Sequence, residues 1–441
     1  MEQNKSAGLV RAMGRWTLTA LVVNSIVGSG IFGLPSIVAG ALGRWSPLAY
    51  LIAAASVAVI MACFAEVASQ FGESGGPYLY VREAFGNFLG IETGWLLWLV
   101  RVTAAAAAAN LFTNYLAEFW ADVKEPLPRL ATLTILIGFL AFVNYRGVKS
   151  GAVASNVFTV AKLSALFSFA IAGAIFLLRA HAAIPSGFVE TSPIPPRKWL
   201  EAMLVIWFAY GGFEAALVPM AETKDPRRDA PFALFTGLVT TTVLYSLIQC
   251  VVVALPAATT TDRPLAIAAR TMWGNVGAAL ITVGALVSLY GYLSAQMLHT
   301  PRLTFALGEQ GDFSSIFSRV HARYRTPHVS ILIFAGIVWG LAVLGNFKWN
   351  VIISSAARFF VYGIVCASLP VLRRKRPDAS AYRIPAGDFI AMLGIISMLA
   401  LVSRMQRNEW IVILATMSVA LVNWFWTRGR IVNRGNSDGG P

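Results

Sequence analysis

Apolar residues in this chain run together rather than alternating with polar ones. Twelve mostly apolar stretches succeed one another, separated by short polar segments. A helix needs about 20 such residues to cross the hydrocarbon of a bilayer. The stretches lie near Trp16–Gly43, Pro47–Phe71, Asn87–Trp120, Leu130–Tyr145, Gly151–Leu178, Trp199–Ala221, Pro231–Leu255, Met272–Leu307, Val329–Gly345, Trp349–Leu372, Phe389–Ser403 and Trp410–Trp426. The pattern predicts an all-helical chain that crosses the membrane twelve times. The third and eighth stretches are long enough to tilt or protrude. The first is too long, and too interrupted by glycines and polar residues, for a cleavable leader.

Two stretches carry internal punctuation. The first contains Gly28-Ser29-Gly30-Ile31-Phe32-Gly33-Leu34-Pro35, and the sixth contains Tyr210-Gly211-Gly212-Phe213-Glu214. Glycine weakens a helix interior and proline removes one of its hydrogen bonds. Non-helical backbone at membrane depth survives only where it is buried in protein or lines a cavity. Interruptions at matching places in two halves point to the binding site of a secondary transporter built from inverted repeats. The expected organisation is a segment 1–15, a first repeat over 16–180, a second over 199–372, two further helices in 389–426 and a tail over 427–441.

Composition agrees with this reading. Of 441 residues, 57% are hydrophobic and 13% charged, against about 25% charged in soluble domains. The net charge of +14 does not indicate nucleic acid, because the basic residues fall between the apolar stretches rather than along one face. With the N-terminus inside, 20 of the 35 Lys and Arg lie in inner segments, 11 in outer segments and 4 within the apolar stretches. The positive-inside rule then places both termini in the cytoplasm of a multi-pass plasma-membrane (cell inner membrane) protein. Three scattered cysteines and four scattered histidines offer neither a metal site nor a disulfide framework, and no cofactor is expected.

Asn24 through Pro35 resembles the first-helix motif of amino acid–polyamine–organocation (APC) transporters. The resemblance extends to Phe64-Ala65-Glu66-Val67-Ala68 with Gly75-Gly76-Pro77-Tyr78, to Phe208 through Glu214 with Glu222 through Arg228, and to Ser294 through Arg302. It implies the LeuT-like fold, two inverted five-helix repeats plus two helices. It also implies an amino acid substrate held at the two breaks. Backbone N–H groups of Ser29, Gly30 and Ile31 would hold the carboxylate, and carbonyls of Ile26, Phe208 and Gly211 the ammonium. Phe208 would act as a lid, and Ala105 on the third helix and Ser355 on the tenth would line the pocket. The alanine run 104–109 favours a neutral substrate.

Ionisable groups inside spans are costly and mark function. Lys162, about eleven residues into the fifth helix, resembles a family lysine that stands where sodium binds in sodium-coupled relatives. It would bridge first-helix carbonyls and an eighth-helix hydroxyl, with Ser288 as candidate. A lysine that gains and loses a proton would couple transport to a proton gradient, whereas a permanently charged one would be a clamp; both readings stand. Glu214 is expected to gate or sense protons. Arg101 has three candidate partners, namely Glu214, an anionic group or backbone carbonyls, with a structural pair favoured; Arg358 is similar. Glu66 and Glu92 read as interfacial or gate charges. The expected function is sodium-independent, proton-coupled amino acid symport by alternating access. Exchange against a second amino acid is the alternative, with a non-transporting sensor behind it, and the spans hold no nucleophile–base set for an enzyme. No docking surface for a partner subunit stands out.

Overall fold

The computed structural model describes residues 13–73, 75–147, 151–180, 194–309, 311–377 and 381–437. The segments expected at 1–15 and 427–441 lie largely outside the residues described with their side chains, as does the 155–161 part of the Lys162 motif. Every regular element among the described residues is helical. One β-bridge among the described residues pairs Met13 with Thr223, where Met13 N–H donates to the Glu222 carbonyl at 2.9 Å and Lys224 N–H to the Met13 carbonyl at 2.8 Å.

The first apolar stretch forms two helices, α1 (Arg15–Ile26) and α2 (Gly30–Leu42), with a break at residues 27–29. There follow α3 (Ser46–Ser69), a short α4 (Pro77–Phe85), α5 (Asn87–Leu116), α6 (Pro126–Arg146) and α7 (Gly151–Ala180). The sixth stretch again gives two pieces, α8 (Pro196–Tyr210) and the single turn α9 (Phe213–Ala216). Beyond it lie α10 (Pro226–Val253), a short α11 (Pro256–Thr259) and α12 (Pro264–Glu309), which is kinked at Gly274. The chain closes with α13 (His328–Leu344), α14 (Phe347–Lys375), α15 (Gly387–Val402) and α16 (Arg407–Ser437).

Eight continuous helical segments among the described residues are long and apolar enough to cross a membrane, and α13 and α15 are shorter apolar helices. The α8–α9 unit fails such a length criterion because its break divides it, and α1 stands outside the spans for the same reason. Burial identifies the centre: 89% of the α5 window is buried, against 22% for α6. Helix α5 has α12 and α14 against it, α10 lies between α1 and α3, and α2 crosses α8. The two breaks therefore meet in the middle of the bundle. Apolar side chains of α6, α15 and α16 such as Ile135, Phe389 and Leu414 stay exposed on the perimeter, as expected where lipid rather than water is the outer solvent.

Candidate functional site

The break in the first unit leaves the carbonyl end of α1 facing the amide end of α2. The last carbonyls of a helix lack intrahelical partners and carry partial negative charge. Lys162 of α7 meets that need. Its ammonium donates to the Asn24 carbonyl at 3.0 Å, the Asn24 Oδ1 at 2.7 Å and the Val27 carbonyl at 2.5 Å. All three bonds go to the first unit. Ser288 of α12 is buried, yet it takes none of them. Ile26, the last residue of α1, presents its carbonyl to the Tyr245 hydroxyl at 3.1 Å, and the same hydroxyl lies 3.2 Å from the Ala209 carbonyl. Tyr245 thus touches the backbone at both breaks.

Ser29, Gly30 and Ile31 are buried at the start of α2, where the chain passes very close to α8. A Cβ added at Gly30 would stand 2.9 Å from the Ala209 Cα and 3.3 Å from the Phe208 ring, so this crossing requires glycine. Phe208 occupies the last turn of α8 and is 7% exposed. The Arg358 guanidinium of α14 lies 5.5 Å from its ring centroid, in range for a cation–π contact.

The second break is at Gly211 and Gly212. Gly212 adopts φ +110°, a left-handed value that glycine reaches without a Cβ penalty, and a side chain there would also run into the Ser25 carbonyl oxygen. Glu214 folds back over this turn. Its Oε2 accepts from Gly212 N–H at 2.8 Å and from the Tyr362 hydroxyl at 2.7 Å, while its Oε1 pairs with Arg358 Nε at 3.3 Å. Both side chains of the pair are almost fully buried, at 5% and 7% exposure. The ion-pair partner of Glu214 is therefore Arg358, not Arg101. Adjacency along α5 could not reveal this, because α14 brings its arginine in from 144 residues away.

Arg101 lies on α5 one turn from the buried Ala105 and feels the charges of Glu214 and Arg358, but forms no hydrogen bond or ion pair among the described residues. Its Nε, the Arg358 Nη1 and the Ser355 hydroxyl are buried polar atoms without a partner. Ser354, beside Ser355, donates to the Val100 carbonyl at 3.1 Å, which sets this part of α14 face to face with Arg101's part of α5. Tyr292 of α12 approaches Gly28, and Gln296 donates to its hydroxyl at 2.9 Å. Phe208, Gly211 and Glu214 thus belong to the break of the second unit, with Arg358 packed against them and Arg101 within electrostatic range, and Lys162 serves the first. Glu66 and Glu92 lie apart: Glu66 forms a two-pronged pair with Arg373 at 2.6 and 2.7 Å and accepts from Ile384 N–H.

Sequence reading did not give roles to Asn24, Tyr245, Tyr292 or Tyr362. Asn24 is part of the first-helix motif, and the three tyrosines are polar tips on otherwise apolar spans, a pattern that announces a buried partner without naming it. Exposure is graded along the breaks: residues 29–36 are wholly buried, while Asn24, Ser25, Gly28, Gly212, Tyr292 and Arg101 remain partly exposed. The α2 limb of the first break is thus more deeply buried than the residues at the break itself.

A family model described as amino acid permease matches residues 13–427. The chain is 27% identical over 417 residues to the methylthioribose transporter of Bacillus subtilis (strain 168), covering 90% of this chain and 88% of that one. It is 26% identical over 397 residues to the serine/threonine exchanger SteT of the same organism, covering 88% and 89%. The branched-chain amino acid permease BcaP, again of that organism, is 23% identical over 440 residues, covering 95% and 93%. These relatives are membrane transporters rather than enzymes, and their alignments run nearly end to end. Two broken helices meeting at a buried charged site and a family match over almost the whole length lead to one conclusion: the chain belongs to the amino acid permease family of APC transporters.

Proposed function

We propose that this protein is a sodium-independent secondary amino acid transporter that works by alternating access and couples uptake to protons. The carrying observation is the Lys162 ammonium, bonded three times to the carbonyl end of α1 at the break. A fixed ammonium there occupies the oxygens that a sodium ion would need, and a lysine is also a group that can release and take up a proton. In this reading the α1–α2 and α8–α9 units count as one crossing each, which gives twelve spans, two inverted repeats over 16–180 and 199–372 and two added helices within 389–426, with both termini in the cytoplasm. The amides of Ser29, Gly30 and Ile31 at the α2 start hold the substrate carboxylate, as helix N-termini favour. The carbonyls of Ile26, Phe208 and Gly211 take its ammonium. The Ile26 carbonyl already receives Tyr245 and has one lone pair left for this. The alanine wall of α5, considered alone, suits a neutral side chain.

Glu214 and Arg358 act as the gate in this scheme, joining the second break to α14. The similarity to an exchanger at 26% identity favours obligatory exchange as the second reading. Purified protein in liposomes separates them. Counterflow of labelled amino acid is expected, unchanged when sodium is replaced by choline, with net uptake into empty vesicles rising under an inward proton gradient. Counterflow without net uptake would establish exchange. Sodium-dependent uptake would overturn the role of Lys162, and substrate binding without counterflow would make the protein a sensor.

A further inference from the structure

The central site is short of negative charge. Arg101 and Arg358 bring two guanidinium groups to the space between α5, α8 and α14, and Glu214 brings one carboxylate. A buried ion pair can balance its own desolvation, but an additional unpaired cation at membrane depth is costly. Lys162 does not relieve this, since it faces the α1 carbonyls. The three unpartnered polar atoms identified above belong to this same space. Arg358 Nη1 lies on a side chain 7% exposed, Ser355 is fully buried, and Arg101 is partly exposed. Ser355 and Arg358, three residues apart, lie on neighbouring positions of one α14 face.

We propose that the carried substrate has a second carboxylate: it is an acidic amino acid whose side-chain carboxylate is taken by Arg101 and Arg358 with help from Ser355. The inference rests on the transport reading above and narrows its substrate class. The argument is one of charge. A neutral amino acid is a zwitterion and adds no net charge, so the surplus positive charge would persist in the occupied site. An acidic amino acid brings one further negative charge and cancels it. The geometry agrees. The Arg358 guanidinium covers the Phe208 ring, and the same ring contacts the start of α2, where the α-carboxylate is placed. One aromatic ring therefore separates the two anion-binding positions, a spacing suited to a stem of one or two methylenes. A guanidinium matches a carboxylate with paired N–H donors. The isosteric amide presents N–H groups to a site already rich in donors, and a site built around such bonds rejects the analogue that cannot form them.

The test compares isosteric pairs in liposomes holding the intact protein: labelled L-glutamate against L-glutamine, and L-aspartate against L-asparagine. Counterflow of the acids is expected to exceed that of their amides by about 10- to 100-fold. Arg101→Gln should bring the ratio towards one, and Arg101→Lys should restore part of it. Arg101 is the residue to vary because it has no ion pair to break, and thermal unfolding and monodispersity of each variant check its folding. Carriage of neutral amino acids with the acids no better than their amides would overturn the inference while leaving the transport reading intact. No counterflow or binding of any amino acid would overturn both.

Discussion

Glu214 satisfies a backbone amide, a phenol and a guanidinium with two oxygens, so its loss cannot be compensated by any single neighbour. Glu214→Gln leaves Arg358 charged, buried and unpaired, and we expect a loss of about 3–5 kcal/mol. Tyr362→Phe removes one hydrogen bond and should cost about 1–2 kcal/mol. Thermal unfolding in detergent reads the difference, and a Glu214→Gln variant no less stable than Tyr362→Phe would contradict a stabilising Glu214–Arg358 pair. At Gly212 both conformation and space exclude a side chain, so Gly212→Ala should lower the midpoint of unfolding and abolish uptake, while Gly138→Ala on the open perimeter should change neither. Sequence patterns made these glycines legible, because glycine carries its conformational message locally. The charge partners were not, since the identity of a buried partner depends on which helix packs opposite.

At the level of elements, the two breaks are coupled by Tyr245 of α10. Its hydroxyl stands within reach of the Ile26 and Ala209 carbonyls, one from each broken unit, and its single proton serves one at a time. Tyr245→Phe removes that shared donor without changing shape. The expected result is a modest stability loss of about 1 kcal/mol with a larger fractional loss of counterflow rate. A rate unchanged at equal expression would show that the hydroxyl only fills space. The eight long apolar helices among the described residues were readable from apolar run length, and the positions of the interruptions from glycine and proline. The short α4 and the kink in α12 were not, because nine residues are too few to stand out as a span and one positive-φ glycine leaves no periodic trace.

Across the whole molecule, burial differs between the two sides of the break, and this can be measured. In a Cys250→Ser background, with Cys63 and Cys366 buried, Ser25→Cys should react with a water-soluble thiol reagent applied from the side where α1 begins. Ser36→Cys should resist it until substrate turnover opens the opposite side. Equal labelling at both positions would contradict a one-sided opening. The basic residues, which the sequence distributes unevenly, give an expected orientation for these sides, whereas the difference in burial is a property of packing that no run of residues encodes. The backbone bridge at Met13 bears on how such an opening proceeds. Two hydrogen bonds shackle the lead-in to α1 to the strip of chain that leaves α9, at residues 222–224. The α1 limb of the first broken unit and the chain leaving α9 in the second are thereby yoked like a pair of oars on one handle, so that a displacement of either would carry the other.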